Sequence, residues 1–296
     1  MPVFRRRKYI TSDHRTPAEA VPIFKYTHAM LFAITRSVSP AITQCELSFI
    51  DRRPIDLKKA EAQHSAYQQL LTQIGAKLIC LPAEPALPDS MFVEDPALVL
   101  DELAVIFPLG AESRRAEAES LARVLSTFRK ISRVQLPGTV EGGDILHLGR
   151  RIFVGQTRRT NAEGIRQLTA LLAPYHYEVV PVPVTGCLHL KSAVTHIGRN
   201  TLLANRAWFD ATPFSGFEWL DVDPAEPHAA NALALGDTVI FPASFPRTRA
   251  RLEAGGFHVT SIDISELQKA ESGLTCSSLL FNAEATAMQR RVVQTQ

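Results

Sequence analysis

The sequence lacks most of what would mark a membrane, secreted or nucleic-acid-binding protein. No apolar run approaches the roughly 18 residues that a membrane-spanning helix needs. Only four cysteines occur in 296 residues, at positions 45, 80, 187 and 276, without a C-x-x-C pair. That argues against a disulfide scaffold or a structural zinc site, so no metal is expected, and it fits a reducing, cytoplasmic compartment. Charge of one sign is lacking too: 32 Lys and Arg stand against 30 Asp and Glu. No broad basic surface is offered to nucleic acid, which is not expected as a partner. Neither G-x-G-x-x-G nor G-x-x-x-x-G-K-[ST] is present to support a nucleotide-binding fold.

At the start, MPVFRRRKYITSDHRTP sets an Arg/Lys cluster before polar residues and Pro17, not before an apolar stretch. A secretory signal is therefore not expected, and Asp13 and Glu19 speak against a transit peptide. Residues 1–26 are expected to form a disordered extension, 27–285 one folded domain and 286–296 a tail.

What the chain does have is a recurring pattern of two short apolar stretches, a turn and a helix. DPALVL-DE-LAVIFP (95–108), DILHL-GR-RIFVG (144–155), KSAVTHI-GRN-TLLAN (191–205) and NALAL-GD-TVIFP (231–242) each read as a hairpin. Gly149, Gly198 and Gly236 supply the positive-φ residue that tight hairpins demand. Apolar periodicity predicts helices over Asp56–Ile74, Glu112–Lys130, Asn161–Ala173 and Pro246–Ala254. Strands are predicted over His28–Thr35 and Lys77–Leu81. Arg206–Pro227, rich in aromatics, reads as a packed loop with one strand at Glu218–Val222. The repeat interval of about 40 to 50 residues is that of modular folds. About five units fit, predicting an α/β chain of repeated modules around an axis.

Reactive residues gather where these hairpins begin or end. LPDSMFVEDP (87–96) carries Asp89, Glu94 and Asp95, and PGTVEGGDIL (137–146) carries Glu141 and Asp144 around two glycines. GCLHLKSAV (186–194) alternates His189 and Lys191 with apolar residues, which predicts a strand with both on one face. SGLTCSSLLF (272–281) sets Cys276 before an apolar strand. Each cluster alone has a structural explanation: solvated turn carboxylates, a glycine bulge, a hydrogen-bonded histidine, a buried small thiol. Together they hold the parts of a cysteine hydrolase. A cysteine nucleophile needs its pKa lowered from about 8.5 by a base or cationic field. Its histidine needs an orienting carboxylate, and a guanidinium substrate needs facing carboxylates.

The motifs FVEDP (92–96), GAESRR (110–115), EGGD (141–144), RTNAEG (159–164), LHLKS (188–192) and LTCSSL (274–279) resemble, in order and spacing, those of the dimethylarginine dimethylaminohydrolase family. That family belongs to a guanidino-group-modifying superfamily with arginine deiminases and amidinotransferases. The resemblance covers roughly residues 28 to 282. It implies a five-bladed α/β propeller of ββαβ modules, no cofactor, and hydrolysis of Nω-methylated arginine to citrulline and dimethylamine or methylamine. It also implies a covalent thiouronium intermediate. By it, Cys276 is the nucleophile, His189 the acid and base, and Glu141 the carboxylate behind the histidine. Glu94 and Asp95 would face the guanidinium. Asp89, Arg114 and Arg159 would hold the amino-acid end, and Leu47, in CELSFIDRRP, would close as a lid. One departure is IFPLG before the GAESRR alanine, where the family pattern has Arg-Pro before the glycine. The expected partner is a small-molecule substrate, bound by a monomer or homodimer. The alternatives are a related hydrolase of arginine or Nω-hydroxyarginine, an amidinotransferase, or a guanidinium-binding relative without catalysis.

Overall fold

The predicted hairpins form, and each opens a small sheet that a returning parallel strand completes. The computed structural model describes residues 29–284; the extension expected over 1–26 and the tail expected over 286–296 lie outside them. Strand β1 (Ala29–Arg36) is followed by helix α1 (Leu57–Gln73) and by β2 (Lys77–Leu81), parallel to β1. The hairpin β3 (Ala97–Val99) and β4 (Leu103–Ile106) leads through α2 (Glu117–Leu125) to β5 (Lys130–Arg133), parallel to β4. The same order recurs in β6 (Ile145–Leu148), β7 (Arg151–Gln156), α3 (Ala162–Leu172) and β8 (Glu178–Pro183).

A one-turn helix α4 (Leu190–Ala193) then precedes β9 (Val194–His196), β10 (Thr201–Ala204) and β11 (Glu218–Asp221). Here the aromatic loop expected over 206–227 replaces the crossover helix, and β11 runs parallel to β10 as its one short strand. The last full repeat is β12 (Leu233–Leu235), β13 (Thr238–Pro242), α5 (Pro246–Ala254) and β14 (His258–Ile262). After the single turn α6 (Ser265–Gln268), β15 (Leu279–Glu284) pairs antiparallel with β1. The described residues thus form five three-stranded sheets, a five-bladed α/β propeller of ββαβ modules whose final strand closes the ring on the first.

Local chemistry explains the boundaries. Asp56 caps α1 by accepting the Lys59 amide at 3.1 Å, and Asn161 caps α3 by accepting that of Gly164 at 2.8 Å. The hairpin turns at Gly149 and Gly236 have φ of 64° and 56°, as two-residue turns require. The core is divided among five apolar clusters that bridge neighbouring blades. One joins Phe32 and Phe281 of the closing sheet to Ile106 and Leu121 of the next.

Two expectations change. The helix expected over Glu112–Lys130 is a 3-10 turn at Glu112–Arg114, then α2, ending before β5 starts at Lys130. Its first turn is drawn inward because Arg114 pairs with buried Asp95 and Glu117. The strand expected to carry His189 and Lys191 on one face is instead the turn α4. The Asp144 carboxylate accepts the Leu190 amide at 2.9 Å, and the Ser192 amide bonds the His189 carbonyl at 3.0 Å. The two side chains therefore diverge, His189 toward Glu141 and Lys191 toward Glu94.

Candidate active site

The EGGD segment forms the floor of the site, and its glycines are there because backbone must pass very close. A Cβ on Gly142 would lie 2.0 Å from the Glu94 carbonyl oxygen, and one on Gly143 would lie 2.5 Å from His189 Nδ1. This approach lets the Gly143 amide reach Asp95 Oδ1 at 3.0 Å and sets Glu141 against His189.

His189 Nε2 donates to Glu141 Oε2 at 2.7 Å. Glu141 has no exposed surface, and its other oxygen accepts the Gly110 amide at 3.0 Å and Arg159 Nη1 at 3.2 Å. Burial alone would raise its pKa. The hydrogen bond from His189 and the charges of His189, Arg114 and Arg159 outweigh burial and hold it well below the usual carboxylate range. For His189 burial works downward, but Asp95, the bond to Glu141 and the charge of Asp144 lift its pKa to about 9. Asp144 is itself pushed up to about 6 by burial, against the opposing pull of His189 and two threonine hydroxyls.

Cys276 lies in a 3-10 turn just before β15, its sulfur accepting the Gly273 amide at 3.3 Å. Desolvation, then the charges of Glu94 and Asp95, push its thiol up to about 12. At neutral pH the site therefore holds a neutral thiol near an imidazolium, and the thiolate needs a cation brought to it.

Cys276, His189, Asp89, Asp95, Arg114 and Arg159 line one cavity of about 20 Å³, room for little more than one water. Glu141 sits behind His189. Arg114 has five N–H donors and commits three, to Glu117 at 3.1 and 3.0 Å and to Asp95 at 3.0 Å. Burial pushes Glu117 up to about 7 despite that pairing. Asp89 accepts the Glu46 amide at 3.1 Å. Leu47 is half-buried against the core cluster that Cys276 also touches, while its neighbour Glu46 lines the cavity.

Glu94 stands apart from these. It pairs with Lys191, accepts the Thr275 hydroxyl at 2.8 Å, and lines a separate opening with both of them. Asp95, Glu141 and His189 bring ligand-type atoms within 4.8 Å of one another. Each carboxylate is already paired with an arginine, Asp95 at 3.0 Å and Glu141 at 3.2 Å, which disfavours a metal ion there. Sequence reasoning missed Asn231, which fixes Thr275 through its amide and hydroxyl at 3.1 Å each, and Glu271 and Ser48 at the rim. None of these sits in a pattern that marks it before the chain is folded.

A family model described as N,N dimethylarginine dimethylhydrolase, eukaryotic, matches residues 44–207. The N(G),N(G)-dimethylarginine dimethylaminohydrolase of Pseudomonas aeruginosa is 36% identical over 258 residues, covering 86% of this chain and 100% of that one. The chain belongs to the dimethylarginine dimethylaminohydrolase family. A second member, from Streptomyces coelicolor, is 36% identical over 83% of this chain and 95% of its own. Among solved structures, a cysteine-to-serine mutant of the P. aeruginosa family member complexed with citrulline superposes with a TM-score of 0.81 at 34% identity. The match covers 85% of this chain and 99% of that one. The family assignment gives the propeller and the motif order a common origin.

Proposed function

We propose that this chain hydrolyses asymmetric dimethylarginine and monomethylarginine to citrulline, releasing dimethylamine or methylamine. The observation that carries this reading is the shared cavity of Cys276 and a His189 held by buried Glu141, in a chain of this family. The related structure holds citrulline, the product expected here.

The electrostatics supports an order of events. Binding a guanidinium places a positive charge beside Cys276, offsets the carboxylate field that keeps the thiol protonated, and lets the thiol proton leave to solvent. The thiolate then attacks the guanidinium carbon. His189, protonated with a pKa of about 9, gives its proton to the departing dimethylamine as the C–N bond breaks. A thiouronium remains on Cys276. Neutral His189 next takes one proton from water, whose oxygen attacks the same carbon. As the adduct collapses its hydroxyl proton passes to solvent, the C=O of citrulline forms, and C–S cleavage frees the thiolate. Asp95, beside the histidine, would face the guanidinium. Glu94 would act as a second carboxylate once its pairing with Lys191 yields. Asp89, Arg114 and Arg159 would receive the amino-acid end, and Leu47 would close over it. Four free cysteines fit a cytoplasmic setting, where the chain would act as a monomer or homodimer.

The test is citrulline formation from asymmetric dimethylarginine, monomethylarginine, arginine and Nω-hydroxyarginine in parallel. Turnover of the two methylated substrates well above the others is expected. Preference for arginine or Nω-hydroxyarginine would move the assignment to another guanidine hydrolase.

A further inference from the structure

Glu271 takes no part in the chemistry above, yet it sits on the cavity wall with an unusual set of partners. Its backbone is left-handed, φ 56°, a conformation that L residues other than Asn and Asp seldom adopt. The carboxylate reaches across 221 to 223 residues of sequence to one loop. It accepts the Ser48 amide at 2.9 and 3.0 Å, the Ile50 amide at 2.8 Å, and the Phe49 amide as well. Three successive amides converging on one carboxylate form an anion-binding nest, here filled by a side chain of the same protein.

The clasped loop is also fixed on its inner side. Glu46 donates its amide to Asp89 and accepts the Ser113 hydroxyl. Arg159 Nη2 donates to Ser48 Oγ at 3.1 Å while its Nη1 holds Glu141, the partner of His189. The loop position is thus read by the same arginine that steadies the histidine's carboxylate. The cavity beneath has about 20 Å³, far too little for an amino acid, so the loop must lift for any such ligand to enter. On the outer side Phe49, 46% exposed, and Ile50 border a chamber of about 620 Å³ together with Glu271, which leaves room for that movement.

We propose that Glu271 is the latch of a substrate lid over residues 46–50, a positioning residue whose carboxylate sets how often Cys276 is reachable. The proposal rests on reading this cavity as the guanidine-hydrolase site and adds the element that gates it. The experiment compares Glu271→Gln and Glu271→Ala with the unaltered chain. Iodoacetamide alkylation of Cys276 at fixed pH is followed by peptide mass spectrometry, with exposed Cys80 as internal control. Amide exchange is followed over residues 46–50. Losing a charged acceptor of three amides should speed Cys276 alkylation about 10-fold and deprotect the loop amides, with Cys80 unchanged. KM for dimethylarginine should rise more than kcat falls. An unchanged or slower Cys276 alkylation in both variants would overturn the latch. Because alkylation needs no turnover, a chain that labels faster in the variants yet makes no citrulline keeps the latch and loses the substrate assignment.

Discussion

Two upward displacements meet at the proposed catalytic pair. Cys276 is pushed up to about 12 by desolvation and two carboxylates, and His189 is lifted to about 9 by Asp95, Glu141 and Asp144. The sign fixes the pH dependence. In the proposed mechanism the imidazolium protonates the departing amine, so kcat/KM should fall as pH rises through about 9. In Glu141→Gln the imidazole loses a hydrogen-bonded charge that raised its pKa. The basic limb should move to lower pH, with turnover at neutral pH reduced on the order of 10²-fold. A kcat/KM profile for the two proteins checks this; a limb that stays in place would mean another group donates the proton. At this scale the sequence shows which residues are reactive but not what faces them. Glu94 and Asp95 are adjacent in the chain, yet within the turn that leads into β3 one side chain goes to Lys191 and the other to Arg114.

Among the elements, the EGGD turn is the most constrained. A methyl group at Gly142 would meet the Glu94 carbonyl at 2.0 Å, whereas at Gly149 nothing lies within 4 Å and only the φ of 64° opposes a side chain. Gly149→Ala should therefore cost about 1–2 kcal/mol. Gly142→Ala should cost more, at the upper end of the roughly 1–3 kcal/mol typical of overpacking, and should also depress turnover because Glu141 would shift. Urea midpoints of the two variants give the comparison; equal midpoints would contradict the close approach. The hairpin glycines were legible because a tight turn is a local demand. The turn α4 was not, since four residues carry no periodic signal and Asp144, which bends the chain there, acts from the preceding blade. The shortening of the 112–130 helix has the same origin in the tertiary pull on Arg114.

At the level of the whole molecule, five clusters between blades replace a single central core, and β15 on β1 completes the ring. The repeat interval was enough to anticipate the five modules. The pairing of the last strand with the first could not be read from spacing, because it joins segments some 250 residues apart, as in Phe32 opposite Phe281. Those rings stack with centroids 5.8 Å apart, and Phe128 packs edge-on to Phe281 at 5.2 Å. Phe281→Ala should cost about 3–5 kcal/mol and loosen the closing blade that carries Cys276 at its entrance. Hydrogen exchange should then rise first in β1 and β15. Loss spread evenly over all five blades would show that closure is not the weak seam.

The ring brings Cys276, His189, Asp89 and Asp95 to one cavity, and the central claim is that Cys276 attacks a guanidinium carbon there. The most direct measurement is an acid quench of the enzyme during turnover of asymmetric dimethylarginine, followed by mass analysis of the Cys276 peptide. The expected result is a thiouronium on Cys276 with the mass of the substrate less the departed dimethylamine, and no citrulline from Cys276→Ser. Citrulline forming at a near-normal rate in Cys276→Ser, or turnover that never places substrate mass on Cys276, would contradict the account.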